Sequence, residues 1–279
     1  MNALHDRFRI ERELGHGGMA TVYLARDLGH DRLVALKVLK PLVASVVGPD
    51  RFVREIRITA QLQHPNILPL LESGVEGDLP WYSMPFVEAE SLRERLAQPG
   101  DRLAFAQVVG IGRQIAAALD YAHAAGVVHR DIKPANILLA GDHAWIADFG
   151  MARMAGGDGE SPITSGSLVV GTPHYMSPEQ ARAGGTPLDG RSDIYSLGCV
   201  LYEMLAGEPP FTGATREAIL ARHAVDPVPP LATVRPGASR ATDVVLATAL
   251  AKSPSRRFPT ATAVVVALER SLSRADPIR

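Results

Sequence analysis

The spacing of apolar residues changes partway along this chain, and the change predicts two kinds of structure. The first part reads as short strands. Residues 8–14 lead into a glycine-rich turn at 15–18, residues 21–26 are β-prone, and residues 33–39 are an apolar run with one charge, Lys37, at its centre. Ala35, Lys37 and Leu39 share one face of that strand. One helix interrupts the pattern, at about 50–63. Phe52, Ile56 and Ala60 recur at i, i+4 and i+8, Asp50 is its expected N-cap, and Pro65 stops it. Glu55 lies at the edge of this stripe. Two more strands are expected at 68–74 and 81–87.

From residue 91 onward the period lengthens to that of helices. Val108, Ile111, Ile115, Leu119 and Ala122 mark one face of a helix over 105–125, which Gly126 ends. Further helices are expected at 194–205, 216–223, 242–250 and 261–271, with a proline-rich surface connection at 227–236. Short apolar pieces fall at 127–128, 137–139 and 145–146. Residues 151–172 have no clear period and are rich in Gly and Ser. A stretch that long without structure inside a compact chain is usually functional or disordered. The pattern therefore predicts a small strand-rich lobe and a larger helical lobe joined near residues 85–88, a natural place for a ligand cleft.

Composition changes this picture little. At 279 residues the chain is long enough for one large domain or two lobes, and 46% hydrophobic with 21% charged residues is ordinary for a globular protein. A formal net charge of −1 gives no reason to expect nucleic acid or an anionic membrane as a partner. The single cysteine, Cys199, rules out an internal disulfide and sits in an apolar run, where it reads as a small buried hydrophobe. With no apolar signal core at the N-terminus and no apolar run of membrane-spanning length, the chain is expected to be soluble and cytoplasmic. A membrane anchor beyond residue 279 of a longer parent protein stays open.

The chemistry is concentrated in His129-Arg130-Asp131-Ile132-Lys133-Pro134-Ala135-Asn136, with Asp148-Phe149-Gly150 beginning twelve positions after Asn136. Phosphoryl transfer needs a carboxylate near the attacking hydroxyl and oxygen ligands for Mg²⁺. Asp131 is the candidate base, Lys133 the cation that neutralises a transferred γ-phosphoryl, and Asn136 and Asp148 the candidate metal ligands. In the first lobe, the backbone of Gly15, Gly17 and Gly18 can approach phosphate oxygens. Taken alone, this segment is equally well a hairpin turn. Lys37 is a candidate for the α- and β-phosphates, with Glu55 as its counter-charge. Alone, the lysine reads as a solvent-facing strand residue, and Glu55 as one charge among Arg51, Arg54 and Arg57.

Taken in order, Val34-Ala35-Leu36-Lys37, His129-Arg130-Asp131 to Asn136, and Asp148-Phe149-Gly150 resemble three signature elements of eukaryotic-type protein kinases, of the serine/threonine group found in bacteria. Ser177-Pro178-Glu179 stands where that family usually has Ala-Pro-Glu. The resemblance spans about residues 8–271. It implies an α+β fold with a small antiparallel-sheet lobe (about 1–84) carrying one key helix, a hinge at 85–88, and a mainly helical lobe (about 89–279). It implies ATP and Mg²⁺, with Mn²⁺ as an alternative. Leu14, Val22, Ala35 and Leu138 would enclose adenine, Met84 would be the gatekeeper, and the backbone of Phe86-Val87 would bond the adenine edge. Asp193 would steady the catalytic loop, and Arg257 would pair with Glu179. Ala20 departs from the third loop glycine, and Pro85 sits at the hinge, where it removes one N–H.

The same resemblance implies a substrate and a mode of regulation. Lys133 after the catalytic aspartate, and Thr172 in Gly171-Thr172-Pro173, match the serine/threonine pattern. Protein substrates, and the chain itself by autophosphorylation, are the expected partners, compatible with a dimer during activation. Phosphorylation of Thr164, with Ser165 and Ser167 as alternatives, is expected to be received by Arg130 and Arg153. Two rivals remain at this point. A non-catalytic scaffold of the same fold would have lost Lys37, Asp131, Asn136 or Asp148, and all four are present. A small-molecule phosphotransferase of related fold would lack the segment 171–179.

Overall fold

The structure, a computed structural model, describes residues 2–98, 102–149, 173–182 and 188–273. Arg153, Thr164, Ser165, Ser167 and Thr172 lie outside these residues. A short helix α1 (Asn2–Arg7) precedes five strands: β1 (Phe8–His16), β2 (Ala20–Asp27), β3 (Arg32–Leu39), β4 (Glu72–Glu76) and β5 (Leu79–Pro85). They form one sheet in the order β1-β2-β3-β5-β4, every neighbouring pair antiparallel.

Both faces of β3 are covered, which explains its unbroken apolar run. Val34 and Leu36 join Phe8, Ala25 and Trp81 on one face. Ala35 and Leu39 join Tyr82, Met84, Phe52 and Ile56 on the other. Lys37 belongs to that second face and is buried. The strand lysine therefore points under a helix, away from bulk water.

The helix differs from the expected one. It is α3 (Pro49–Thr59), and an unexpected short helix α2 (Pro41–Val47) precedes it, with Gly48 between them at φ 71°, a positive-φ conformation that glycine adopts without steric cost. Pro49 begins α3 with Gly48 as N-cap, so Asp50 lies in the first turn instead of capping it. The helix ends at Thr59 because Leu62 leaves this lobe and enters the core of the other. The strand expected at 68–74 also shifts, to Glu72–Glu76. Ile67 and Leu68 instead reach the second lobe, where Ile67 bridges Ile146 and the Leu68 N–H donates to the Ile146 carbonyl at 2.9 Å.

The helical part begins with β6 (Glu90–Ser91) and α4 (Leu92–Ala97), where Ser91 and Glu94 form a capping box. It continues with α5 (Phe105–Ala124), β7 (Ile137–Ala140), β8 (His143–Ile146), α6 (Pro178–Ala181), α7 (Gly190–Ala206), α8 (Arg216–Val225), α9 (Arg240–Ala249) and α10 (Ala261–Ser273). The apolar pieces around the central motif become the sheet β6-β7-β8. Helix α7 is buried on every side from Ser192 to Ala206, as its nearly continuous apolar sequence requires. Helices α5, α9 and α10 contribute to the same core. At Gly198 a Cβ would meet the Cβ of Ala249 at 3.1 Å, so the glycine permits the α7–α9 approach. Among the described residues, no helix is long and apolar enough to cross a membrane.

Candidate active site

The catalytic-loop candidates sit between α5 and β7 and are fixed from below by Asp193 at the start of α7. Its carboxylate is fully buried and accepts from the backbone N–H of His129 (2.8 Å) and of Arg130 (2.7 Å), and pairs with His123 Nε2 (2.8 Å). Burial alone would raise the Asp193 pKa. The hydrogen bond and charge of His123 and the bonds from the loop outweigh it and hold the carboxyl below its usual range. Burial would lower the pKa of His123, but Asp193 raises it above the ordinary histidine value. Arg130 takes φ 68°, a conformation costing about 1–3 kcal/mol for a non-glycine residue. Its N–H is bound to Asp193, and its carbonyl accepts from Gln180 Nε2 at 2.8 Å, so both ends of the strained residue are held.

Above this base three side chains converge. Asp131 Oδ2 accepts from Lys133 Nζ at 2.7 Å and from Asn136 Nδ2 at 3.1 Å. Asn136 Nδ2 also donates to the Asp131 carbonyl at 2.8 Å, which commits its nitrogen and leaves the amide oxygen, with its lone pairs, to face a ligand. The Ala147 N–H donates to the Asn136 carbonyl at 2.9 Å, and this ties Asp148 to the same corner. His129 accepts from the Asp131 N–H through Nδ1 and stacks edge-on against Phe149, with ring centroids 4.5 Å apart. His129 and Phe149 thus pack and orient the loop.

Asp148 takes the left-handed backbone at φ 65° and turns its carboxylate toward the strand lobe. Its Oδ2 lies 2.6 Å from Lys37 Nζ, and its Oδ1 accepts from the Tyr82 hydroxyl at 2.7 Å. Burial pushes its pKa up, but Lys37 and Tyr82 overcome this and keep it ionised. Burial first, and the Asp148 charge next, push the Tyr82 phenol well above its ordinary value, so it stays a protonated donor. The expected Lys37–Glu55 pair is not formed. Glu55 is buried and lies 3.6 Å from Arg54 Nη2, while the lysine takes the carboxylate that the turned backbone of Asp148 brings to it. Sequence reasoning did not single out Tyr82. The signal is the register: Lys37 faces Tyr82 directly across β3 and β5, as Ala35 faces Met84.

Leu14, Val22, Ala35 and Met84 meet in one apolar cluster under the glycine-rich turn. Leu138 lies across the junction on β7, opposite Ser91 and Trp145, and Val87 lies in the connection between β5 and β6. A Cβ at Gly15, Gly17 or Gly18 would meet nothing within 4 Å, so packing within the chain does not explain these glycines. The open space leaves room for a ligand to approach the backbone there. The oxygen of Asn136 and the ionised Asp148 fit a hard divalent cation. Below the cleft, Arg257 grips Glu179 in a two-pronged pair (2.5 and 2.7 Å), with Ser192 also donating to Glu179.

This arrangement defines a class: the protein kinase domain family matches residues 8–266, and the chain belongs to it. Bacterial serine/threonine kinases are among its relatives. The chain is 42% identical over 267 residues to serine/threonine-protein kinase PknB of Mycobacterium tuberculosis, covering 92% of this chain and 42% of that protein. It is 44% identical over 263 residues to PknJ of the same species, covering 91% of this chain and 43% of that protein. It thus spans less than half the length of these relatives. The crystal structure of the M. tuberculosis PknI kinase domain superposes with a TM-score of 0.74 at 31% identity, covering 95% of this chain and 96% of that one.

Proposed function

We infer that this chain transfers the γ-phosphoryl group of ATP to serine and threonine hydroxyls of proteins. The observation that carries this reading is the convergence of Lys133 and Asn136 on the Asp131 carboxylate, tied by Asn136 and Ala147 to the Asp148–Lys37 pair. Asp131 orients the acceptor hydroxyl and takes its proton as the new P–O bond forms. Lys133 stabilises charge on the transferred group. Lys37 meets the α- and β-phosphates and Glu55 is its counter-charge in the loaded state, so the lysine exchanges Asp148 for these partners. Adenine fits among Leu14, Val22, Ala35, Met84, Val87 and Leu138. Asn136 and Asp148 would hold Mg²⁺, or Mn²⁺, which would supply positive charge to neutralise the phosphates.

Serine/threonine preference follows from Lys133 and Thr172. Activation by phosphate on Thr164, Ser165 or Ser167, received by Arg130 and Arg153, is the regulatory part of the reading. Mass spectrometry of active protein that finds no phosphate on these three residues rejects it. For the central reading, incorporation of phosphate into the chain and into a generic protein substrate is compared with that of Asp131→Asn. Loss of a general base costs about 10²–10⁴-fold. Equal incorporation by both proteins removes Asp131 from the reaction.

A further inference from the structure

The Tyr82 hydroxyl belongs to no element of the reading above, yet it donates into the site. It is a neutral donor on a buried ring in the middle of a paired strand, and its hydroxyl ends 2.7 Å from Asp148 Oδ1. The other carboxylate oxygen is held by Lys37, whose Nζ also lies 5.8 Å from the centre of the Tyr82 ring. The cross-strand neighbours Lys37 and Tyr82 therefore grip one carboxylate together, one donor per oxygen.

These two donors differ in what happens when nucleotide arrives. Lys37 carries charge and exchanges Asp148 for the phosphates. The Tyr82 phenol has no charge to attract it to phosphate, and Asp148 is its hydrogen-bond acceptor among the described residues. A carboxylate oxygen has two lone pairs, so it can accept from a hydroxyl on one side and face a cation on the other. Without that hydroxyl, the side chain of Asp148 would be released from orientation at the moment it has to act as a ligand.

We propose that Tyr82 is a positioning residue: through its hydroxyl bond to Oδ1 it holds the Asp148 carboxylate in the orientation that receives the divalent cation. The inference rests on the Mg-ATP reading of the site. It assigns to β5 a role in metal binding distinct from lining the adenine pocket. Hydrogen-bond partners that orient a metal ligand are typically worth about 10–100-fold in metal affinity.

The test is binding of a non-hydrolysable ATP analogue to the whole chain by titration calorimetry, in EDTA and in saturating Mg²⁺. The ratio of the two affinities is the enhancement due to the metal. Tyr82→Phe keeps the ring and its packing, so affinity in EDTA is expected to be unchanged, which also shows that the variant is folded. The Mg²⁺ enhancement is expected to fall about tenfold or more. In Asp148→Asn the enhancement is already lost, and adding Tyr82→Phe is expected to change nothing more. An unchanged or larger enhancement in Tyr82→Phe overturns the proposal, as does a further effect of Tyr82→Phe in the Asp148→Asn background. Wild-type protein that binds the analogue without any Mg²⁺ enhancement overturns the metal reading and this inference together, and that outcome is read before any variant is made.

Discussion

Two aspartates, the fully buried Asp193 and the half-buried Asp148, carry the two sides of the cleft. Both have their carboxyl pKa held down against burial, and both accept from groups on each oxygen. Their donors come from different places. Asp193 is bound by two backbone N–H groups and by His123 of α5, all within the helical lobe. Asp148 is bound by two side chains, Lys37 and Tyr82, that reach across from the sheet. The first arrangement is part of the fold, because breaking it takes the Asp193 acceptor from two backbone N–H groups. The second joins the lobes through side chains that can turn, and one of them has a second task. On the proposed reading, the acid–base side of the reaction is thus built in, while the phosphate side is assembled when nucleotide binds.

The largest expected effect tests the built-in side. Asp193→Ala removes the acceptor of three donors at a site with no solvent, a loss that costs about 3–5 kcal/mol. Denaturant unfolding should show it, along with loss of phosphate transfer as His129 and Arg130 come free. Lys37→Met should cost less in the nucleotide-free protein, about 1–3 kcal/mol, because Asp148 keeps Tyr82 and some contact with water. A destabilisation by Lys37→Met as large as that by Asp193→Ala would erase the contrast between the two aspartates.

The smallest effect is a pH dependence. The raised pKa of His123 means that its contribution is fully present below the unfolded value of about 6.5 and is lost as pH rises through the folded value. His123→Asn should therefore lower the melting temperature most at pH 6, with the gap to wild type closing as the pH is raised. A constant gap from pH 6 to 9 would remove the charged form of His123 from the anchor. The lowered pKa of Asp193 acts in the opposite direction, its contribution being lost as pH falls through the folded carboxyl value.

Much of this was legible in the sequence because it is local. The run from His129 to Asn136 places its own groups within reach of one another, and Asp131, Lys133 and Asn136 do meet. The period of Val108, Ile111, Ile115, Leu119 and Ala122 placed α5, whose buried face contains four of the five, with Ile111 partly buried against the same core. What the sequence did not show depends on distant partners. The helix expected at 50–63 stops early because Leu62 is drawn into another lobe, and the strand expected at 68–74 begins late because Leu68, like Ile67 before it, pairs with Ile146. Glu55, on the next predicted helix, was the expected counter-charge to Lys37, but Asp148 reaches it through a left-handed backbone turn that no local pattern announces. Tyr82 was passed over for the same reason. Its importance lies in the register of β3 against β5, which only pairing reveals.

The enclosure of α7 bears on how the chain folds. A helix walled in along its whole length cannot be added after its neighbours have closed around the space it fills. The expectation is that it forms as α5, α9 and α10 condense, with the segment that begins with Asp193 in the folding nucleus of the helical lobe; φ-values near zero along α7 would reject it. The residue that later steadies the catalytic loop is then in place before there is a loop to steady. The sheet, linked to this lobe through Ile67, Leu68 and a few side chains, is free to form on its own schedule.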